Sequence, residues 1–183
     1  RKVRVTPAGL ITGAVDIEFK VTDANGGTAT AGGVTLTITD TVGQTVSNVA
    51  PIQFFDNSAG SPYSSDITFP NGHPSNGEIR KVTVTLDGIT HANPDDIDIV
   101  LEHNGVAVSL LSDAGGEGDL SPKILKFADS ASGLAPDDSA ISVGVYKPTN
   151  YEGSETLPGN APSPGNSGYS SSLADFNGQT VDN

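Results

Sequence analysis

Between Thr90 and Gly105 the chain reads THANPDDIDIVLEHNG, which crowds Asp95, Asp96 and Asp98 into a short stretch. Side chains two apart on a strand share a face, so Asp96 and Asp98 are expected to project together about 7 Å apart while Ile97 and Ile99 enter the core. At that distance two charges repel by roughly 0.6 kcal/mol in water, and by about 2.4 kcal/mol at an effective dielectric of about 20. A bridging cation removes the conflict. Carboxylate and carbonyl oxygens in a chain without Cys suit a hard ion, and Ca²⁺ accepts about six to eight such ligands with relaxed geometry. Asp113 and Asp129 are further carboxylates for the site, so the expected calcium ligands are Asp95, Asp96, Asp98, Asp113 and Asp129. The competing reading is a solvated acidic rim that keeps the protein soluble.

Other chemistry is poorly supplied. Asp23 and Asn25 in TDANGG match the start of a calcium loop, but the remaining EF-hand spacing and its terminal Glu are absent, so an Asn-Gly hairpin turn is the preferred reading. His91 reads as a packed or hydrogen-bonded structural residue, and His73 and His103 fall in turn sequences where exposure is expected. Ser167 in GNSGY lies in a Pro- and Gly-rich stretch that lacks the strand-turn-helix of a nucleophile elbow. Without Cys there is no thiol nucleophile, zinc cluster or disulfide framework.

The elements that must position these residues are short strands. Val15, Ile17, Phe19 and Val21 alternate with Asp16, Glu18 and Lys20, and after Asn25-Gly26-Gly27 a second alternation runs through Val34, Leu36 and Ile38. That pair predicts a hairpin, joined by a strand in KVRV (2–5). DTVGQTV (40–46) reads as a connector, which puts a boundary near residue 46. Beyond it, strands are expected at 52–55, 65–69, 79–86, 97–102, 106–111, 124–127 and 141–146, with a turn of helix at 130–134 and a long surface loop over 147–172. Short strands punctuated by Gly, Pro, Asn and Asp, with no window for a long helix, predict an all-β sandwich or jelly roll.

Composition narrows the partners. The 183 residues carry 22 Asp and Glu against 9 Lys and Arg, a formal net charge of -13, so no basic footprint exists for nucleic acid and metal cations are the expected counterions. No apolar run approaches the roughly 20 residues that span a bilayer, and the residues from Arg1 onward do not read as a basic-then-apolar signal peptide. With no Met in the chain, a processed or partial piece of a longer polypeptide is expected.

Over residues 47–183 the chain resembles the P domain of proprotein convertases, P/Homo B. The resemblance is carried by SPYSSDITF, IRKVTVTLDGIT, His91, Asp96 and Asp98 flanking Ile97, Gly105, then Phe127, Asp129 and Ala131, YKPTNY, and Leu173, Phe176, Asn177 and Gly178. It departs at Ala128, where the family often has an acid, and in the Glu-His-Asn turn before Gly105. The family continues past Phe-Asn-Gly with a Gly-x-Trp strand, and this chain has no Trp. One or two strands of the sandwich are therefore expected from residues beyond Asn183 or from a neighbouring subunit. Residues 1–40 are similar to the closing strands of cadherin-like repeats in large bacterial surface proteins.

These resemblances imply a partial Ig/cadherin-like β module and linker over 1–46, followed over 47–183 by a P-domain-like jelly-roll β-sandwich in which Asp129 matches a family acid. They imply a non-catalytic, calcium-stabilised extracellular or cell-surface adhesion module. Its expected partners are neighbouring domains or subunits, as a homo-oligomer or filament built by strand complementation. The alternative is the C-terminal accessory domain of a secreted subtilisin-like serine protease. A sugar-binding jelly roll is disfavoured because 4 Tyr, 6 Phe and no Trp offer few stacking platforms.

Overall fold

The computed structural model describes residues 13–22, 28–38, 45–55, 58–69, 78–153, 157, 161–163 and 168–181. The chain divides into two compact units, Arg1–Thr45 and Val46–Asn183. In the first, β1 (Gly13–Thr22) and β2 (Thr28–Ile38) form the expected antiparallel hairpin. Apolar residues face apolar partners in register, Val15 with Leu36 and Ile17 with Val34, then Phe19 with Ala31 after one irregularity. On the β2 side that irregularity holds Gly32 and Gly33, residue types common at bulges. The strand expected at 2–5, the Asn25-Gly26-Gly27 turn, Asp23 and most of the 40–46 connector lie outside the described residues.

The second unit is nearly all β. A small antiparallel pair, β3 (Gln53–Phe55) and β4 (Ser58–Ser61), precedes two three-stranded sheets. One contains β5 (Val84–His91), β8 (Leu120–Phe127) and β9 (Gly144–Tyr146) in the order β5-β8-β9. The other contains β6 (Ile99–His103), β7 (Val106–Ser112) and β10 (Thr149–Asn150) in the order β10-β7-β6. The sheets pack against each other as a sandwich. Its core includes Ile97, Val108, Leu111, Leu125, Phe127 and Phe176, each at most 1 % exposed. Asn104 and Gly105 (φ 50° and 78°) make the two-residue turn joining β6 to β7, where such residues match the strand twist.

Several strand boundaries differ from expectation, for local reasons. The strand predicted at 79–86 is displaced to Val84–His91. Before it, Ile79 pairs with the C-terminal segment, donating its N–H to Gln179 O (2.8 Å) and accepting from Gly178 N–H (2.8 Å). After Leu86 the register slips, with Leu86 opposite Leu125 but Ile89 opposite Lys123. The extra residue is accommodated at Asp87-Gly88, Gly88 having a φ of +73° that favours glycine. The slip moves the inward-facing set from the partly buried Val84 and Leu86 to the buried Ile89, so the alternation breaks mid-strand.

Residues 65–69 form no strand, and Ile67 is exposed. Residues 130–134 form no helix. One-turn 3-10 helices lie instead at Pro94–Asp96 and Leu173–Phe176. The expected loop over 147–172 is only partly a loop, because β10 pairs parallel with Leu111 and Ser112, and Ser170 bridges Val108 in the same sense. Thr149 is buried with its hydroxyl satisfied, donating to Lys147 O and accepting from Ala135 N–H, both at 2.9 Å. Among the described residues no helix is long and apolar enough to cross a membrane.

Candidate metal centre

The acids of the Thr90–Gly105 stretch leave the backbone from a turn and its exit. Proline suits the first turn of a helix because its φ is already set and its missing N–H is not needed there. Pro94 opens the 3-10 turn, with Asp96 N–H donating to Asn93 O and Ile97 N–H to Pro94 O, both at 3.1 Å. Ile97 is buried as expected, but β6 starts only at Ile99. Asp95 and Asp96 therefore sit on the turn, and Asp98 on the extended lead-in to β6. Asp96 is exposed and Asp98 partly buried, so the shared strand face expected for this pair is not formed.

Strand direction gathers three loops at one end of the sandwich. His91 at the end of β5 pairs with Leu120 at the start of β8, and β9 runs parallel to β8. The loops containing 93–98, 113–116 and 135–140 accordingly meet there. Gly115 N–H, shared between two carbonyls, donates to Pro136 O (2.9 Å) and Asp137 O (2.7 Å). The contact is close enough to exclude a side chain, since a Cβ on Gly115 would stand 2.9 Å from Pro94 Cγ and 3.0 Å from Ile141 Cδ1.

That junction brings carboxylates together. Burial, followed by repulsion from Asp113, Asp137, Asp138 and Asp96, raises the Asp95 carboxyl above its ordinary range. Burial also raises Tyr151, as do Asp137 and Asp138 to a lesser degree, and its hydroxyl donates to Ala135 O (2.7 Å). Asp113 adopts a φ of 50° and accepts the Ser112 hydroxyl at 2.7 Å. Asn93 precedes the turn but provides no side-chain cap; its Oδ1 is buried and accepts no hydrogen bond among the described residues. Burial is thus the main influence on Asp95 and its four acidic neighbours the lesser one, and among the described residues no three His, Asp or Glu side chains are arranged to hold a metal ion. All the oxygens of this group are hard donors.

Asp129 does not belong to this group. It follows β8 at the opposite end of the strand, where its two carboxylate oxygens accept the N–H groups of Leu173 (3.0 Å) and Ala174 (2.8 Å). It lines a small cavity with Arg80, Lys81 and Asn177. Its geometry is that of a cap on the C-terminal 3-10 turn, satisfying amides that a helix start leaves open.

Asp137 and Asp138 were not among the expected ligands. The available signal was a second Pro-Asp-Asp, at Pro136, matching the one at Pro94. His91 is hydrogen-bonded as expected: its Nδ1 lies 2.6 Å from Asn93 O, and its ring meets Phe54 edge-on at 6.4 Å. His103, expected to be exposed, is instead partly buried, with Nε2 2.8 Å from Thr180 O and its ring against Phe176. His73 and Ser167 lie outside the described residues. The chain matches no protein-family model, and no curated protein or solved structure is similar to it.

Proposed function

We propose that this chain is a non-catalytic, calcium-stabilised structural or adhesion module of a large extracellular bacterial surface or matrix protein. The observation that carries the reading is the convergence of Asp96, Asp113, Asp137 and Asp138 on a partly buried Asp95, beside the unpaired Asn93 Oδ1. Like charges gathered at a loop junction cost stability unless a cation or a proton neutralises them. What Ca²⁺ would supply here is charge neutralisation, at Asp95 and the acids around it, although among the described residues no three of these side chains already stand as a ligand set. The protein's own part is to fix the three loops against one another through Gly115 and the buried Ile141.

The adhesive part of the reading draws on the sheet edges. Each three-stranded sheet ends in strands paired within the sheet on one side only, β5 and β9 in one, β6 and β10 in the other. Among the described residues no further strand joins these edges, and an edge strand can take an added strand from a neighbouring subunit.

Thermal unfolding in millimolar CaCl₂ and in excess EGTA tests the metal. Extracellular modules bind Ca²⁺ with Kd of about 0.1–1 mM, so the midpoint is expected to rise with calcium over that range. An unchanged midpoint sinks the calcium reading.

A further inference from the structure

The outer face of β8 and β9 sets exposed aliphatic side chains beside lysines. On β8, Leu125 and Phe127 point into the core at 0 % exposure, which turns Ile124 and Lys126 outward. On β9, Val145 stands in register with Lys126 on the same outer face, and Val143 lies one step from the Leu125–Gly144 pair, beside Ile124. The three aliphatic side chains are 49 % (Ile124), 68 % (Val143) and 51 % (Val145) exposed. Lys126 and Lys147 flank them in the open, and β5 adds exposed Thr85 and Asp87. β9 is also the edge strand of its sheet.

Clustered exposed aliphatics rimmed by charge mark an interaction surface. The charge of the rim identifies the occupant. In a chain of net charge -13 with 9 Lys and Arg, two lysines bordering an apolar strip complement a carboxylate-rich partner. The molecule itself carries such a surface, in Asp95, Asp96, Asp113, Asp137 and Asp138 at the loop end of the sandwich. We propose that the β8–β9 face docks the acidic loop end of a second copy of this chain. Face and loop end are different surfaces, so the contact is heterologous and propagates head to tail instead of closing as a twofold dimer. The lysines steer and orient the encounter, while covering Ile124, Val143 and Val145 provides the lasting contact. The proposal rests on the adhesion reading only in that copies meet, and it requires no calcium.

The test is sedimentation velocity of the full chain in EGTA at rising concentration. The mass average is expected to grow with concentration at about 0.15 M salt, where a screening length of about 8 Å damps the overall repulsion between two chains of net charge -13. A face variant (Lys126→Gln, Lys147→Gln, Val145→Ser) and a loop-end variant (Asp137→Asn, Asp138→Asn) should each associate at least tenfold more weakly. All five positions are exposed, and circular dichroism verifies that both variants fold. Mixed together, the two should form a 1:1 complex that grows no further, because each retains the surface the other lacks. A wild-type chain that stays monomeric, a face variant that assembles like wild type, or a mixture that stays monomeric overturns the proposal. The calcium-dependent midpoint of the face variant, measured separately, reports on the metal reading alone.

Discussion

Asp95 is where the local charges of the loop end act most strongly. Its carboxyl is held above the ordinary 3.8 by burial and then by four neighbouring acids, so the native protein holds this proton more firmly than the unfolded chain does. Stability contributed by this group is complete below about pH 3.8 and is lost as pH rises through the raised native value. In EGTA at neutral pH, Asp95→Asn is therefore expected to raise the melting temperature, and in calcium to abolish the metal-dependent increment. A variant that melts lower than wild type in EGTA would show that the carboxylate stabilises the turn on its own. Asp129 gives a contrasting expectation. Asp129→Ala removes the acceptor of two amides and should cost about 0.5–2 kcal/mol by denaturant titration, by the same amount with and without calcium. At this scale the sequence revealed carboxylates but not their company. Asp96 and Asp98 are close in sequence yet separated by the end of a 3-10 turn, whereas Asp95 and Asp137 are distant in sequence and joined by the contact at Gly115.

Among the elements, alternation identified β1, the second half of β2 and the end of β8, whereas β6 and β7 are legible as short apolar runs between turn residues, β7 being buried from Val108 to Ser112 with no period of two. It failed where the period breaks or where pairing is not driven by apolar side chains. β5 continues past the residue at which its pattern ends, since the slip at Asp87-Gly88 changes which residues face inward. β10 is two residues long and rests on a threonine whose hydroxyl is satisfied internally, so composition alone reads it as loop. The 3-10 turn at Pro94 takes the place of a strand start because proline fixes the backbone there. At Gly115 a φ of +107° and the lack of a Cβ let Pro94 and Ile141 close over the backbone. Gly115→Ala should destabilise by about 1–3 kcal/mol through overpacking and left-handed strain. It should also weaken the calcium increment, because it displaces the Pro94 turn that bears Asp95; an increment of wild-type size would separate the loop junction from metal binding.

At the scale of the molecule, the unit Val46–Asn183 contains a buried core cluster of its own, running from Ile89 to Phe176. A chain starting at Val46 is therefore expected to unfold cooperatively, with a calorimetric transition close to that of the full chain. Loss of that transition would show that the first unit is needed for folding. β7 offers a different opportunity. One of its edges is occupied by two separate pieces of chain, Thr149–Asn150 and Ser170, both parallel to it. The polypeptide between them leaves a fixed rail and rejoins it a few steps away, so its two ends are anchored regardless of what lies between. Loop-closure entropy rises by only about 0.6 kcal/mol for each doubling of length, so foreign cargo spliced into that detour should leave the sandwich intact. An insertion that keeps Tyr151, whose hydroxyl reaches Ala135 O, and the buried Tyr169 is expected to melt within a few degrees of the parent chain, and a large drop in midpoint would show that the detour itself holds the two rails together.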